Sequence, residues 1–150
     1  MIFVECYPDE ALVRVLGIPR NEIKHAKSKG NVCKKLSKER GCLGMVDEDP
    51  TSSQPSYLRK YQTQWRRNEV MLLFDRSTNN SVIVICPRLE EWILKAAEGC
   101  KAKLEDYGLP SNPQQLHKTI GANTDNFKEL VEAIKAKSQR IKTLAEVLRV

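Results

Sequence analysis

Glu5 closes a short apolar run, Ile2-Phe3-Val4, and three acids, Asp47, Glu48 and Asp49, close another, Leu43-Gly44-Met45-Val46. Acids in such places have a chemical use if the two runs are neighbouring strands, because ligands of an open parallel sheet gather at the carboxyl ends of its strands. Adjacent strands lie about 4.8 Å apart, so Glu5 and Asp47 would meet there. Residues two apart in extended chain point the same way, which places Asp47 and Asp49 on one side and Glu48 on the other. Carboxylates crowded in this way repel, so one must hold a proton unless a cation sits among them. Oxygen donors without His or Cys suit a hard divalent ion, Mg²⁺ or Mn²⁺, which keeps positions for water and a phosphate. Bound there, such an ion polarises phosphoryl oxygens. Plainer uses also exist: an acidic run before Pro50-Thr51-Ser52-Ser53 can cap a turn, and Glu5 can be a solvated strand end.

The elements that would position these acids follow in order. Residues 2–6 read as a strand, and Pro8 opens a helix that Gly17 ends, with Asp9 and Glu10 at its positive end. A strand at Ile23–Ala26 leads through the turn Lys27–Gly30 into a helix over 31–40, which Gly41 stops before a strand at 42–46. Strands alternating with helices over short links predict an α/β fold with a parallel sheet and right-handed crossovers. Residues 50–69 are polar, contain Pro50 and Pro55, and read as a long loop or flap with one short helix. Val70–Phe74 and Val82–Cys86 read as a hairpin or adjacent strands. Pro87 opens a helix over 88–106 with Trp92 on its apolar face, Pro113 a short one, and a last helix spans 126–148. Residues 1–106 are thus expected to form the α/β domain and 107–150 a C-terminal helical extension packed on it. That extension also offers the expected surface for a homodimer or a partner protein.

No apolar run approaches the roughly 20 residues needed to span a bilayer, and the acid at position 5 argues against a secretory leader. The five cysteines are odd in number and never spaced as CxxC, and His25 and His117 lie far apart, so neither a disulfide framework nor a zinc site is expected. Reduced thiols and a cytoplasmic location are the simplest reading.

The net charge of +6 is unevenly spread: nine Lys or Arg against two Glu lie between Arg14 and Arg40, and "RKYQTQWRR" (59–67) adds four bases and no acid. Such patches favour a polyanion, and Tyr61 and Trp65 among them could stack on unpaired bases. Lys27 and Lys29, in the turn on the same edge as the acids, are candidates to hold a phosphate. Arg59, Lys60, Arg66 and Arg67 are candidates to track a nucleic-acid backbone. A solvated basic face would look the same.

"VECYPDEAL" (4–12) resembles the first motif of Toprim domains, shared by topoisomerases, bacterial primases and OLD-type nucleases: a strand ending in Glu, then Asp four residues later in an apolar helix. Glu5, Asp9, Ala11 and Leu12 match it. "VDED" (46–49) resembles the second, Asp-x-Asp after an apolar strand, and the gap of 42 residues from Glu5 to Asp47 holds one strand between two helices. Cys6 stands where the family usually has Gly, and no Gly follows Asp49. The resemblance covers residues 1–90 and implies a Toprim-like (Rossmann-like), mainly parallel sheet flanked by helices. It also implies Mg²⁺- or Mn²⁺-dependent phosphodiester chemistry on DNA or RNA, as in a small nuclease. Glu5 would be ligand or general acid/base, and Asp47 and Asp49 metal ligands; Lys29, from its place in the turn beside these acids, is the candidate catalytic cation. A further acid is expected downstream, and Glu90 flanks the apolar face of its helix whereas Glu91 lies beyond it. Two other readings stay open: a non-catalytic subunit that binds nucleic acid or protein, and a receiver-like domain with Mg²⁺ at its strand ends.

Overall fold

Residues 1–122 and 124–148 are described by a computed structural model; positions 123, 149 and 150, part of the expected extension, lie outside the described residues. Six strands, β1 (Ile2–Val4), β2 (Ile23–His25), β3 (Leu43–Asp47), β4 (Gln62–Arg67), β5 (Val70–Asp75) and β6 (Asn80–Ile85), form one sheet in the order β2-β1-β3-β6-β5-β4. Pairing is parallel from β2 to β6 and antiparallel from β6 to β4, so this is a mixed α/β sheet. The helices are α1 (Tyr7–Val15), α2 (Lys29–Leu36), α3 (Leu89–Gly99), α4 (Pro113–Ala122), α5 (Asp125–Ile134) and α6 (Gln139–Leu148).

Period-two alternation sorts the strand side chains between two cores. Phe3, Val46, Val82 and Val84 face α2, which supplies Val32 and Leu36. Ile2, Val4, Met45, Ile83 and Ile85 face the opposite layer, where α1 and α3 to α6 pack in one cluster. The register sets Val4 beside both His25 and Met45, so β2, β1 and β3 end side by side, and Glu5 emerges next to Asp47.

Gly44 lets α2 lie close on β3: a Cβ there would meet Leu36 Cδ1 and Val32 Cγ1, each at 2.9 Å. Gly44→Ala is therefore expected to push α2, and Lys29 with it, off the sheet at a cost of about 1–3 kcal/mol. Urea denaturation would register this as a lower midpoint at unchanged slope; an unchanged midpoint would refute the close fit.

Several element boundaries differ from the sequence reading. α2 runs over Lys29–Leu36 instead of 31–40. Ser28 Oγ caps its start by accepting from Asn31 N–H (3.0 Å), and the buried Asn80 Nδ2 donates to the carbonyls of Leu36 (2.9 Å) and Glu39 (3.1 Å) at its end. Residues 62–67, expected to be loop, form the edge strand β4; it is exposed except at Trp65, which packs on the core, so it shows no apolar alternation, and charged side chains there discourage pairing with other chains. The helix expected over 88–106 stops at Gly99, where Lys101 takes a left-handed conformation (φ +57°), and a 3₁₀ turn at Leu104–Tyr107 follows. The helix expected over 126–148 is two, α5 and α6. Ser138 starts the second by accepting from Ile141 N–H through Oγ (3.3 Å). Their apolar stripe, Phe127, Leu130, Val131, Ile134, Ile141 and Leu144, is buried in the chain's own core.

Among the described residues, no helix is long and apolar enough to cross a membrane. All five cysteines are free thiols.

Candidate active site

Four acids from four different elements gather at the carboxyl edge of the parallel strands. Glu5, one residue past β1, accepts the backbone N–H of Asp47 through Oε2 at 2.8 Å. Asp47, the last residue of β3, accepts the N–H of Leu89, at the start of α3, through Oδ1 at 3.1 Å. Asp9, in the first turn of α1, is only 2% exposed and accepts from Cys6 N–H (3.3 Å) and Cys6 Sγ–H (3.2 Å). Glu90, in the first turn of α3, is 7% exposed and shares a 2.6 Å hydrogen bond with His117 Nδ1 on α4.

These carboxyls act on one another. Burial pushes Asp47 up to about 9, with Asp9, Glu5 and Glu90 adding to the shift and the Leu89 N–H opposing it. Asp9 is pushed up to about 7 by burial and then by Glu5 and Glu90, against the Cys6 hydrogen bonds. Glu5 is raised by burial, opposed by the Asp47 N–H and by Lys29, the cation in its field, and raised further by Asp49 and Glu90.

Asp49 stands differently. Its backbone turns into a left-handed conformation (φ +46°). Oδ1 then accepts from Arg88 Nη2 (2.8 Å) and Oδ2 from Ser52 Oγ (2.7 Å). The Ser52 hydroxyl first, and then Arg88, hold it below the ordinary carboxylate range. The shared side expected for Asp47 and Asp49 is thus realised only as the lining of one cleft of about 520 Å³, which also takes in Glu5, Lys29, Gln54 and Arg88. Lys29 Nζ donates to Glu48 O (2.9 Å) and to Gln54 Oε1, which ties the cleft's cation to the loop above the acids. Glu91 lies outside the cluster, 3.6 Å from Arg88, with Oε2 buried and unpartnered.

The basic candidates split. Lys27 faces away from the cleft, on the far side of the turn that holds Lys29. Lys60 pairs with Asp75 (3.3 Å), Arg66 with Glu69 (2.6 Å) and Glu48 (3.7 Å), and Arg67 lies 4.2 Å over the Trp65 ring. Arg59 is exposed. Tyr61 is 7% exposed and bonded to Tyr57, so it offers no ring to a ligand.

Comparison with protein-family models, with curated proteins and with solved structures finds no match. The chemistry of the site is then its own witness. Among the described residues, no three His, Cys, Asp or Glu side chains converge closely enough to hold a metal ion as they stand. The acids share a field instead of a single point, because Glu5 and Asp47 each commit one oxygen to a backbone N–H. Their donor chemistry suits a hard cation: the oxygens come from carboxyls whose charged forms are penalised by burial and by one another.

Arg88, Gln54 and His117 were not legible as site residues, and Asp9, though it matches the first motif, stood only as a second-tier candidate. Asp9 sits four residues after Glu5 in a first helical turn, where an acid needs no further reason. Arg88 and Gln54 carry no spacing signal, and His117 reaches Glu90 only through the packing of α4 on α3.

Proposed function

We propose that this chain performs metal-dependent phosphodiester chemistry on nucleic acid through a Toprim-like site, as a nuclease does. The observation that carries this reading is the set of crowded carboxyls, the buried Asp9 and the half-buried Glu5 and Asp47, each raised first by desolvation and then by its acidic neighbours, with Lys29 as the cation in Glu5's field. Burying like charges without compensation is costly, and a hard dication relieves that cost. Glu5, Asp47 and Glu90 would hold Mg²⁺ or Mn²⁺, with Asp9 behind them. Bound there, the ion would polarise a phosphoryl oxygen and lower the pKa of a water.

The chain's own groups have separate tasks. Lys29, at the cleft wall, meets the phosphate as a point charge. Arg88 holds Asp49, and with it the start of the loop that closes the cleft, through Oδ1 of Asp49 and Oγ1 of Thr51 (3.0 Å). His117 fixes Glu90 through Nδ1.

The test is cleavage of labelled single- and double-stranded substrates in Mn²⁺. Asp47→Asn and Glu5→Gln are each expected to lower the rate by more than about 100-fold, the upper loss seen when even an outer partner of a metal ligand is removed. Cleavage by Asp47→Asn at the parent rate removes these carboxyls from the reaction, whereas no cleavage by the parent protein while binding persists favours the non-catalytic binding subunit instead.

A further inference from the structure

On the other side of the turn that carries Lys29, a groove of about 460 Å³ runs between β2 and α2. β2 is an edge strand, bonded on one side to β1, so the groove lies along an open sheet edge. Lys24, Lys27, Lys34, Lys35 and Lys38 line it against the single acid Glu39. All five lysines are exposed, and none of them forms an ion pair among the described residues. Five ammonium groups held along one trench repel one another, an arrangement that a polyanion relieves. Lys27 holds its place at φ +78°, a backbone conformation that costs a side-chain-bearing residue of order 1 kcal/mol. A lysine kept where glycine would be easier is consistent with a use for its charge.

At the head of the groove His25 ends β2. Its ring stacks on Tyr7 with centroids 4.4 Å apart and planes 16° from parallel, and its Nε2 is buried without a partner. Tyr7 is 59% exposed, unlike the other tyrosines, and follows Glu5 by two residues. A fixed, exposed ring beside a lysine trench and a carboxylate cleft makes a stacking surface for an unpaired base.

We propose that the groove between β2 and α2 carries the backbone of a single nucleic-acid strand, with Tyr7 stacking an unpaired base at the entrance to the carboxylate cleft. This deepens the nucleic-acid reading of the cleft and rests on it for the substrate class. It moves the track from Arg59, Lys60, Arg66 and Arg67, most of which have partners, to the lysines of β2 and α2.

The test is fluorescence anisotropy of the full chain with a fluorescein-labelled single-stranded oligonucleotide and its duplex, in EDTA, over a series of salt concentrations. Tyr7→Ala is expected to weaken single-strand binding about 10-fold or more, with Tyr7→Phe near the parent and duplex affinity unmoved. Lys34→Glu/Lys35→Glu/Lys38→Glu, at exposed positions, is expected to reduce the slope of log affinity against log salt by roughly 2. The groove assignment is overturned if the triple variant keeps the parent slope, if Tyr7→Ala binds as the parent does, or if Tyr7→Phe loses as much as Tyr7→Ala. Equal affinity for anionic phospholipid vesicles with no dependence on Tyr7 overturns it too. Because binding is read without metal, a failed cleavage test of Asp47→Asn leaves the groove standing. An intact cleavage result with an indifferent Tyr7→Ala upholds the cleft and removes the groove.

Discussion

Between pH 5 and pH 8 the metal-free protein is expected to lose stability, and Asp47→Asn to remove most of that loss. In the unfolded chain Asp ionises near 3.8 and Glu near 4.5, whereas in the fold burial and mutual repulsion keep Glu5, Asp9 and Asp47 protonated to higher pH, Asp9 to about 7 and Asp47 to about 9. Within that window the folded state binds more protons than the unfolded one, so stability falls as pH rises. Below the ordinary carboxyl range both states are protonated, and the contribution is fully present. One extra proton held by the fold corresponds to about 1.4 kcal/mol per pH unit, so Asp47 alone accounts for roughly 4 kcal/mol across the window, and Asp9 adds to it up to about pH 7. For a chain of this size that is roughly 10 °C in melting midpoint. The opposite sign applies to Asp75, held down to about 2 first by Thr78 Oγ1 and then by Ser77. Its contribution is present above 3.8 and is lost as pH falls toward 2, so stability peaks in the acid range between the two effects.

Melting midpoints in EDTA across this range check the slope; a parent midpoint that is flat or rises with pH sinks it. Asp47→Asn removes a charge that burial penalises and keeps the shape of the side chain. At pH 8 it should therefore melt higher than the parent while losing cleavage, an inverse pairing that a purely structural aspartate would not give. Mn²⁺ competes with the protons for the same oxygens, so it should stabilise the parent more at pH 8 than at pH 6 and Asp47→Asn little at either.

Trp92→Ala is the second large effect, expected at about 3–5 kcal/mol of lost stability. The indole is wholly buried on α3, and its Nε1–H donates to Asn68 O at 3.1 Å. Asn68 sits at φ +52° in the turn between β4 and β5, and its Nδ2 donates to Thr143 Oγ1 of α6 at 2.7 Å. Removing the ring opens a cavity and strips a partner from the backbone that joins the sheet's antiparallel half to α6. Trp92→Phe keeps most of the packing and should cost less than half as much. It should also leave cleavage near the parent level, because Glu90 and the start of α3 stay in place. Urea denaturation of both variants decides it: a loss below about 1 kcal/mol for Trp92→Ala would show that the turn and α6 do not depend on the ring.

Much of the helix and strand order was readable from local signals. Pro8 and Gly17 bracket α1, Gly41 stands before β3, an apolar run marks β5 and a β-branched one β6, because each of these acts on its own stretch of backbone. What escaped reading depended on partners distant in sequence. Asn80 ends α2 from 44 residues away. The step of seven residues from Ile134 to Ile141 is in phase with an unbroken helix, so periodicity could not reveal the break at which α5 and α6 part to pack on different neighbours. β4 turns only Trp65 toward the core and hence has no alternation to see.

The site divides along the same line. By itself the sequence determined that Glu5 and Asp47 stand at the ends of apolar strands, since strand ends follow from local pattern and parallel order from the alternation with helices. Only the tertiary structure decided that Asp9 turns inward to join them, that Asp49 turns away to Arg88, and that His117 meets Glu90. The reason is physical: which way a side chain faces at a helix start or a turn is fixed by the packing of elements far apart in the chain.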